Sequence, residues 1–286
     1  MINLDKITTA PNLTFDVMSC GPEDGPLVLL LHGFAESFHM WRSQRPALAA
    51  AGYRAVAPSQ RGYSAGARPD TSESANYSFD HLMNDAMSIA SACGNARGRF
   101  HLVGHDWGGS IAWGIADRYP ERLASLTVLS RPHPNAFNRA LAVPDGEQKR
   151  RSSHHWWFLE ADATARILAD NARWLRERLK ANKVPEAAIA ESVVVLGNPD
   201  TMEAALTWYR ARGAIRAPIG AVKVPTLYIW GNADDTVGRM AAEGTREFVA
   251  APYQFVELPG VGHFAADQAP DQVTRLLLAH LAAHPA

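Results

Sequence analysis

Phe100-His101-Leu102-Val103-Gly104-His105-Asp106-Trp107-Gly108-Gly109 is the stretch that decides how this chain folds. Phe100 to Val103 is an apolar run short enough for a buried strand. From Gly108 to Tyr119 the pattern turns helical, and Pro120 stops it. Asp106 therefore stands on the turn between a strand and a helix, with glycines at 104, 108 and 109 where backbones must approach closely. Two readings of Asp106 are open at this point. As an N-cap it would accept hydrogen bonds from the first free N–H groups of the helix. As a reactive side chain it would take the place of Ser in a G-x-S-x-G elbow, held at the tip of a sharp strand–turn–helix corner.

Upstream, Leu27-Val28-Leu29-Leu30-Leu31 reads as a buried strand, followed by a helix over Phe38 to Ala51 that Gly52 ends. Tyr53 to Ala57 is a second strand and Ser78 to Cys93 a second helix, stopped by Gly94; downstream, Leu123 to Leu129 is a further strand. This alternation predicts an α/β fold, a mostly parallel central sheet with helices on both faces. It lapses from about Pro132 to Pro218, where the pattern is helical and rich in Trp, Arg and Ala. It resumes with a strand over Val224 to Trp230, a helix near Met240 to Val249, a strand at Gln254 to Leu258 and a helix from Asp271 to His284. The predicted organisation is a core of residues 1–131 and 219–286 carrying a helical lid, 132–218. The lid would cover the carboxyl edge of the sheet, where open α/β sheets bind ligands.

The 286 residues carry a formal net charge of −1, with 20% charged and 47% hydrophobic residues, which is ordinary globular composition. No run of Lys and Arg is long enough for a phosphate-binding surface, so nucleic acid is not an expected partner. Lys149-Arg150-Arg151 reads as a solvated loop or helix start. The start, Met1-Ile2-Asn3-Leu4-Asp5-Lys6, lacks the basic and apolar segments of a secretion signal, and no apolar run reaches the ~18 residues that span a bilayer. Cys20 and Cys93 have no paired spacing, which fits a reducing compartment. A cytoplasmic protein without membrane contact is expected; a homodimer is compatible with the sequence.

Asp at the turn narrows the chemistry. A carboxylate attacking an ester carbonyl gives an anhydride, no easier to form than the ester was to cleave. Attack on a saturated carbon that bears a leaving group gives an ordinary alkyl ester. Asp106 is ionised near neutral pH, so the attack needs no general base, whereas hydrolysis of the ester by water does. Gly260-Val261-Gly262-His263-Phe264 follows the last strand, and Trp230-Gly231-Asn232-Ala233-Asp234 closes the strand before it. The order Asp106, Asp234, His263 then reads as nucleophile, acid and base of a catalytic triad. His263 would activate water while Asp234 holds its tautomer, with Asp235 a weaker competitor for the acid position.

The chain has eleven histidines, so His263 is singled out by place and not by type. His101 and His105 straddle a strand and a turn, and His280 and His284 lack a third ligand; no metal ion and no cofactor is expected. The oxyanion hole of such an elbow comes from the backbone N–H of Trp107, the residue after the nucleophile, and from that of Phe34 in His32-Gly33-Phe34.

These stretches, together with Arg61-Gly62-Tyr63-Ser64 and Trp208-Tyr209-Arg210, resemble the epoxide hydrolase and haloalkane dehalogenase branch of the α/β-hydrolase superfamily. The matches run in order along nearly the whole chain. The resemblance implies an α/β-hydrolase fold with a helical lid, or cap, whose side chains serve the leaving group. An epoxide oxygen needs a proton, in that family usually from two tyrosines; a halide needs N–H donors. Tyr209 looks like the second lid tyrosine. The first position looks like His154, in Ser153-His154-His155-Trp156-Trp157-Phe158, with His155 as its alternative. Some epoxide hydrolases are similar in pairing His with Tyr.

Other residues resemble the dehalogenase side. His155, Trp156 and Tyr209 look like the halide pocket of fluoroacetate dehalogenases. Those enzymes hold a substrate carboxylate with arginines on the elbow helix, where this chain has Trp107 and Ser110. Phe34 stands where many haloalkane dehalogenases place Asn, and Ala35 where most relatives carry Pro. The expected function is therefore hydrolysis of a small hydrophobic epoxide to a vicinal diol, with His155, Trp156 and Phe264 lining an apolar pocket. A haloalkane or haloacid dehalogenase is the alternative. A ligand-binding receptor on the same fold is the non-enzymatic alternative, expected to have lost part of the triad.

Overall fold

The computed structural model describes residues 3–95, 97–211 and 218–286; the predicted lid residues 212–217 and the Met1-Ile2 start lie outside them. Eight strands make one sheet: β1 (Asn3–Ala10), β2 (Leu13–Cys20), β3 (Leu27–Leu31), β4 (Arg54–Pro58), β5 (Phe100–His105), β6 (Leu123–Leu129), β7 (Thr226–Gly231) and β8 (Tyr253–Leu258). Their order is β1-β2-β4-β3-β5-β6-β7-β8. From β4 to β8 every pairing is parallel, and β1 and β2 add antiparallel strands at one edge.

The parallel strands β3, β5, β6 and β7 are buried at every residue, which is why they read as unbroken apolar runs. Side chains alternate between two packed layers. Leu29, Leu31, Leu102 and Leu126 meet α2 (Phe79–Ala90) and α3 (Trp107–Arg118) on one face. Val28, Leu30, Val103 and Leu129 meet α1 (Gln44–Ala50) and the last helix, Pro270–Ala283, on the other. The β1–β2 hairpin, by contrast, was not expected. Its strands are half in water, so only Phe15 and Val17 of β2 are buried and the apolar signal is thin. The turn is marked by Asn12 at φ 64°, a conformation that Asn tolerates.

Two predicted helices are broken. The expected helix over Phe38 to Ala51 is a 3-10 turn at Phe38–Trp41 and then α1. Pro46 explains the break: it has no N–H to give and crowds the carbonyl of the preceding turn, so a helix must start just before it. The expected helix from Met240 to Val249 is α10 (Arg239–Gly244) followed by a 3-10 turn, Thr245–Phe248.

Between β6 and β7 lie α4 (Pro134–Leu141), α5 (Glu147–Arg151), α6 (His154–Trp157), α7 (Ala163–Ala181, broken at Ala169–Ala172), α8 (Glu186–Leu196) and α9 (Pro199–Arg210), called the lid below. The lid is tied to the core by polar contacts. Trp208 Nε1 donates to the Arg61 carbonyl at 3.1 Å, Arg68 to Thr201 at 2.6 Å, and Arg42 to Glu191 at 2.8 Å. Among the described residues no helix is long and apolar enough to cross a membrane.

Candidate active site

Asp106 is the first residue beyond β5 and has φ 48° and ψ −113°, a backbone conformation that costs a non-glycine residue roughly 1–3 kcal/mol. It precedes α3, but its side chain makes no capping hydrogen bond, so the N-cap reading does not hold. Instead Asp106 Oδ1 accepts the backbone N–H of Phe34 at 3.1 Å. Glycine permits this approach. A Cβ at Gly33 would come within 2.5 Å of the Asp106 Cβ, and one at Gly108 within 2.3 Å of the Leu31 carbonyl oxygen.

His263 lies on the loop after β8, with Nε2 3.7 Å from Asp106 Oδ2 and Nδ1 3.1 and 3.2 Å from the two oxygens of Asp234. Asp234 follows β7, is fully buried, and accepts the N–H groups of Thr236 at 2.7 Å and Val237 at 3.0 Å. The competing carboxylate, Asp235, turns to the lid and pairs with Arg178 at 3.2 Å and Asn182 at 3.2 Å. Three strand ends thus bring Asp106, Asp234 and His263 to one place.

Two neighbours were not anticipated. Ser130, the first residue past β6, donates its hydroxyl to Asp234 at 2.6 Å and lies 2.8 Å from His263 Nδ1. A Ser ending the strand beside the elbow strand was signal enough to place it on this edge. His105, weighed only as a metal ligand, donates Nε2–H to the His263 carbonyl at 3.0 Å, and its Nδ1 lies 3.3 Å from Glu36. Burial holds His105 down at about 4, so it is neutral. Burial, with Asp267 nearby, pushes Glu36 well above the usual carboxylate range. Sequence spacing alone carries no mark of this pair.

The charges of the site are set by competition. Burial alone would raise the Asp106 carboxyl; His263, Arg131 and the Phe34 N–H outweigh it and hold the group at about 2. Burial alone would lower the His263 pKa; Asp234, with Asp106 and Asp235 behind it, outweighs that and raises it. Asp234 is likewise lowered against its own burial, by His263, Ser130 and the Thr236 N–H. The resting arrangement is an ionised Asp106 facing an imidazole that favours its charged form.

Above these residues the lid closes a cavity of about 10 Å³, room for about one water, which Asp106, His263, His154, Tyr209, Phe34 and Phe264 all line. The Phe34 ring packs edge-on against Tyr209 at 5.6 Å, and the Trp107 ring against Tyr209 at 5.2 Å. Trp107 opens α3 as its first residue. His155 and Trp156 are placed elsewhere. Both line an outer groove of about 590 Å³ that shares Tyr209 with the Asp106 cavity, and Trp156 is 73% exposed. The three residues expected to line one apolar pocket are thus divided: Phe264 lines the Asp106 cavity, and His155 and Trp156 line the outer groove. α6 is a single turn, and at 3.6 residues per turn Trp156 points about 200° away from His154. Among the described residues no three His, Cys, Asp or Glu side chains are grouped to hold a metal ion.

Sheet order, elbow and inserted helices together define a hydrolase of the α/β class. The sequence profile of the α/β hydrolase fold family matches residues 26–270, and the chain belongs to that family. It is 30% identical over 276 residues to the AB hydrolase superfamily protein YfhM of Bacillus subtilis, covering 94% of each chain. To Epoxide hydrolase A of Mycobacterium tuberculosis it is 27% identical over 318 residues, covering 97% of each. Its fold is similar to a solved structure described as one of the novel epoxide hydrolases in metagenomes from hot environments. That likeness has a TM-score of 0.86 at 29% identity over 99% of this chain and 100% of the other.

Proposed function

We propose that the protein is an epoxide hydrolase, opening a hydrophobic epoxide to a vicinal diol through an ester on Asp106. The observation that carries this reading is the shared cavity: Asp106, His263, Tyr209 and His154 line one small space. Asp106, ionised at any pH well above about 2, attacks one oxirane carbon. The C–O bond breaks, and the oxygen takes a proton from the Tyr209 hydroxyl or the His154 imidazole. General acids of this kind typically contribute ~10²–10⁴-fold.

Ester formation removes the Asp106 charge, which is one of the causes that raise His263. The imidazole is then free to release its proton and to act as a base. His263 takes a proton from water, the hydroxide adds to the Asp106 carbonyl carbon, and the Phe34 and Trp107 N–H groups receive the oxyanion. Each such donor contributes roughly 2.7–4 kcal/mol. Collapse breaks the ester C–O bond, the proton left on the added water oxygen passes to the departing diol oxygen, and the Asp106 carboxylate returns. The proton that His263 released after esterification restores the lid donor. Protons and electron pairs balance with water alone, so the scheme calls for no cofactor. The division into a core, 1–131 and 219–286, and a lid, 132–218, belongs to the same proposal, since the proton donors and the nucleophile come from different parts.

The test is a trap. His263→Gln should stop after one turnover with the epoxide mass on the Asp106 peptide, and wild type cycling in ¹⁸O-water should label that peptide. An unlabelled peptide from active enzyme would exclude the covalent route. A haloalkane and fluoroacetate panel run in parallel tests the dehalogenase reading. That reading is weakened by His155 and Trp156 lining the outer groove and not the Asp106 cavity. Halide release without diol formation would restore it.

A further inference from the structure

The Asp106 cavity has room for about one water, so a substrate must place most of its atoms elsewhere. The neighbouring space is the outer groove of about 590 Å³, within the ~300–1,000 Å³ of ordinary small-molecule sites. Little separates the two. Tyr209 lines both. His154 of the cavity packs against His155 of the groove with ring centroids 4.4 Å apart, and the His155 ring lies 5.6 Å from that of Tyr209. Tyr209 and the two histidines therefore stand between cavity and groove.

The groove combines two chemistries. Leu141, Trp156 and Leu159 make part of it apolar, and Trp156 and Leu159 are 73% and 42% exposed. Large apolar side chains left facing water together mark a surface that a ligand covers. Lys149 of α5 and Arg210 of α9 make the rest cationic, and no acidic side chain among the described residues lines the groove. The two cations differ. Arg210 is held by Glu203, although its Nη2 stays buried without a hydrogen bond. Lys149 is exposed and forms no ion pair with a described residue, whereas Arg151 of the same helix pairs with Glu147 at 2.6 Å. The groove thus offers an uncompensated positive charge and a spare N–H donor beside open apolar surface. Its complement is a molecule with an apolar chain and an anionic end. Such a chain also excludes water from the ion pair, which raises its worth above that of an open surface pair.

We propose that the outer groove binds the distal arm of the substrate, and that this arm is an apolar chain ending in an anionic group held by Lys149, with Arg210 as a second donor. The reacting group rests on the epoxide hydrolase reading above; the arm and its charge rest on the groove.

Inert chains test the arm without turnover. In calorimetric titration butanoate, hexanoate and octanoate should bind wild type with rising affinity, about twofold to fourfold per methylene. Octanoate should bind about tenfold more tightly than octanamide. Lys149→Met should cut that advantage about threefold or more, and Lys149→Glu should reverse it. Trp156→Ala should weaken octanoate and octanamide alike, by about threefold or more. Equal binding of octanoate and octanamide to wild type, an advantage that survives both Lys149 variants, or binding of both probes unaffected by Trp156→Ala would overturn the proposal. In turnover, terminal epoxides of straight-chain acids with about seven to thirteen carbons should be preferred over their amides most strongly at one length, where the carboxylate reaches Lys149 with the oxirane at Asp106. Lys149→Met should remove that maximum. A preference independent of length would show a general attraction to positive charge and would also overturn the proposal. Lys149-dependent binding of octanoate with no epoxide turned over would sink the epoxide reading alone. Epoxide turnover indifferent to Lys149 and Trp156 would sink this inference alone.

Discussion

Asp106, Asp234 and His263 stand just beyond the ends of strands β5, β7 and β8, whereas His154 and Tyr209 stand on helices inserted between β6 and β7. The first group is held by backbone. Strand pairing fixes where each chain leaves the sheet, and glycines at 33 and 108 allow no other close approach at the elbow. The second group is held by side chains, through ring contacts of 5.0 to 5.6 Å around Tyr209 and polar ties such as Trp208 to Arg61. Geometry set by a sheet tolerates little error, while a packed lid can shift and re-pack. The difference predicts that core residues decide whether the reaction runs and lid residues decide how fast and on what.

The sharpest way to break that division is at Asp106. Asp106→Ala should lower kcat by about 10⁴ or more, since no second group can form the ester. His263→Gln should leave ester formation and abolish release, seen as a single burst in stopped-flow. Activity surviving Asp106→Ala would move the chemistry out of the core.

The same division explains what could be read from sequence. The strand runs, the elbow and the order of Asp106, Asp234 and His263 all depend on short local patterns, and buried parallel strands make those patterns strong. The facing of a one-turn helix does not depend on such a pattern. Nothing in Ser153-His154-His155-Trp156-Trp157-Phe158 says which ring turns inward, because every member is polar or aromatic and the turn is too short to show a period. Contacts between loops distant in sequence were equally silent, which is why the Glu36–His105 contact emerges only in three dimensions.

Lid donors should show smaller and mutually dependent effects. Tyr209→Phe and His154→Phe should each slow ester formation about 10- to 100-fold, because the other donor remains, and the double variant should lose more than either. Pre-steady-state quenching with an epoxide of poor leaving ability checks this. If either single variant matches Asp106→Ala, the two donors are not alternatives.

Acid and base steps should separate on a pH axis. His263 is raised in the resting enzyme, so it is charged below that raised pKa and loses its proton as pH rises through it. With Asp106 esterified the pKa drops, and ester hydrolysis should climb about tenfold per pH unit up to that lower value, then level. Ester formation needs only the Asp106 carboxylate, held at about 2, and should stay flat down to about pH 4. Single-turnover rates at fixed epoxide resolve the two steps. Parallel loss of both on acidification would mean that attack, too, requires neutral His263.

The smallest expected effect tests where the two regions meet. Asn182, at the end of α7, donates to Asp235 at 3.2 Å and accepts the His263 backbone N–H at 3.4 Å. Arg178, one turn earlier, pairs with Asp235, and Arg151 of α5 donates to the Asp234 carbonyl, so the lid grips both loops that carry the acid and the base. Asn182→Ala removes its bonds to Asp235 and His263 and a third, from Nδ2 to the Arg178 carbonyl at 3.2 Å, together about 1–2 kcal/mol. Ester hydrolysis should slow about threefold to tenfold while ester formation is nearly spared, because only the hydrolytic step uses the His263 position. A variant that slows formation equally would show the lid acting on Asp106 as well, and the line between the two regions would have to be redrawn inside the core.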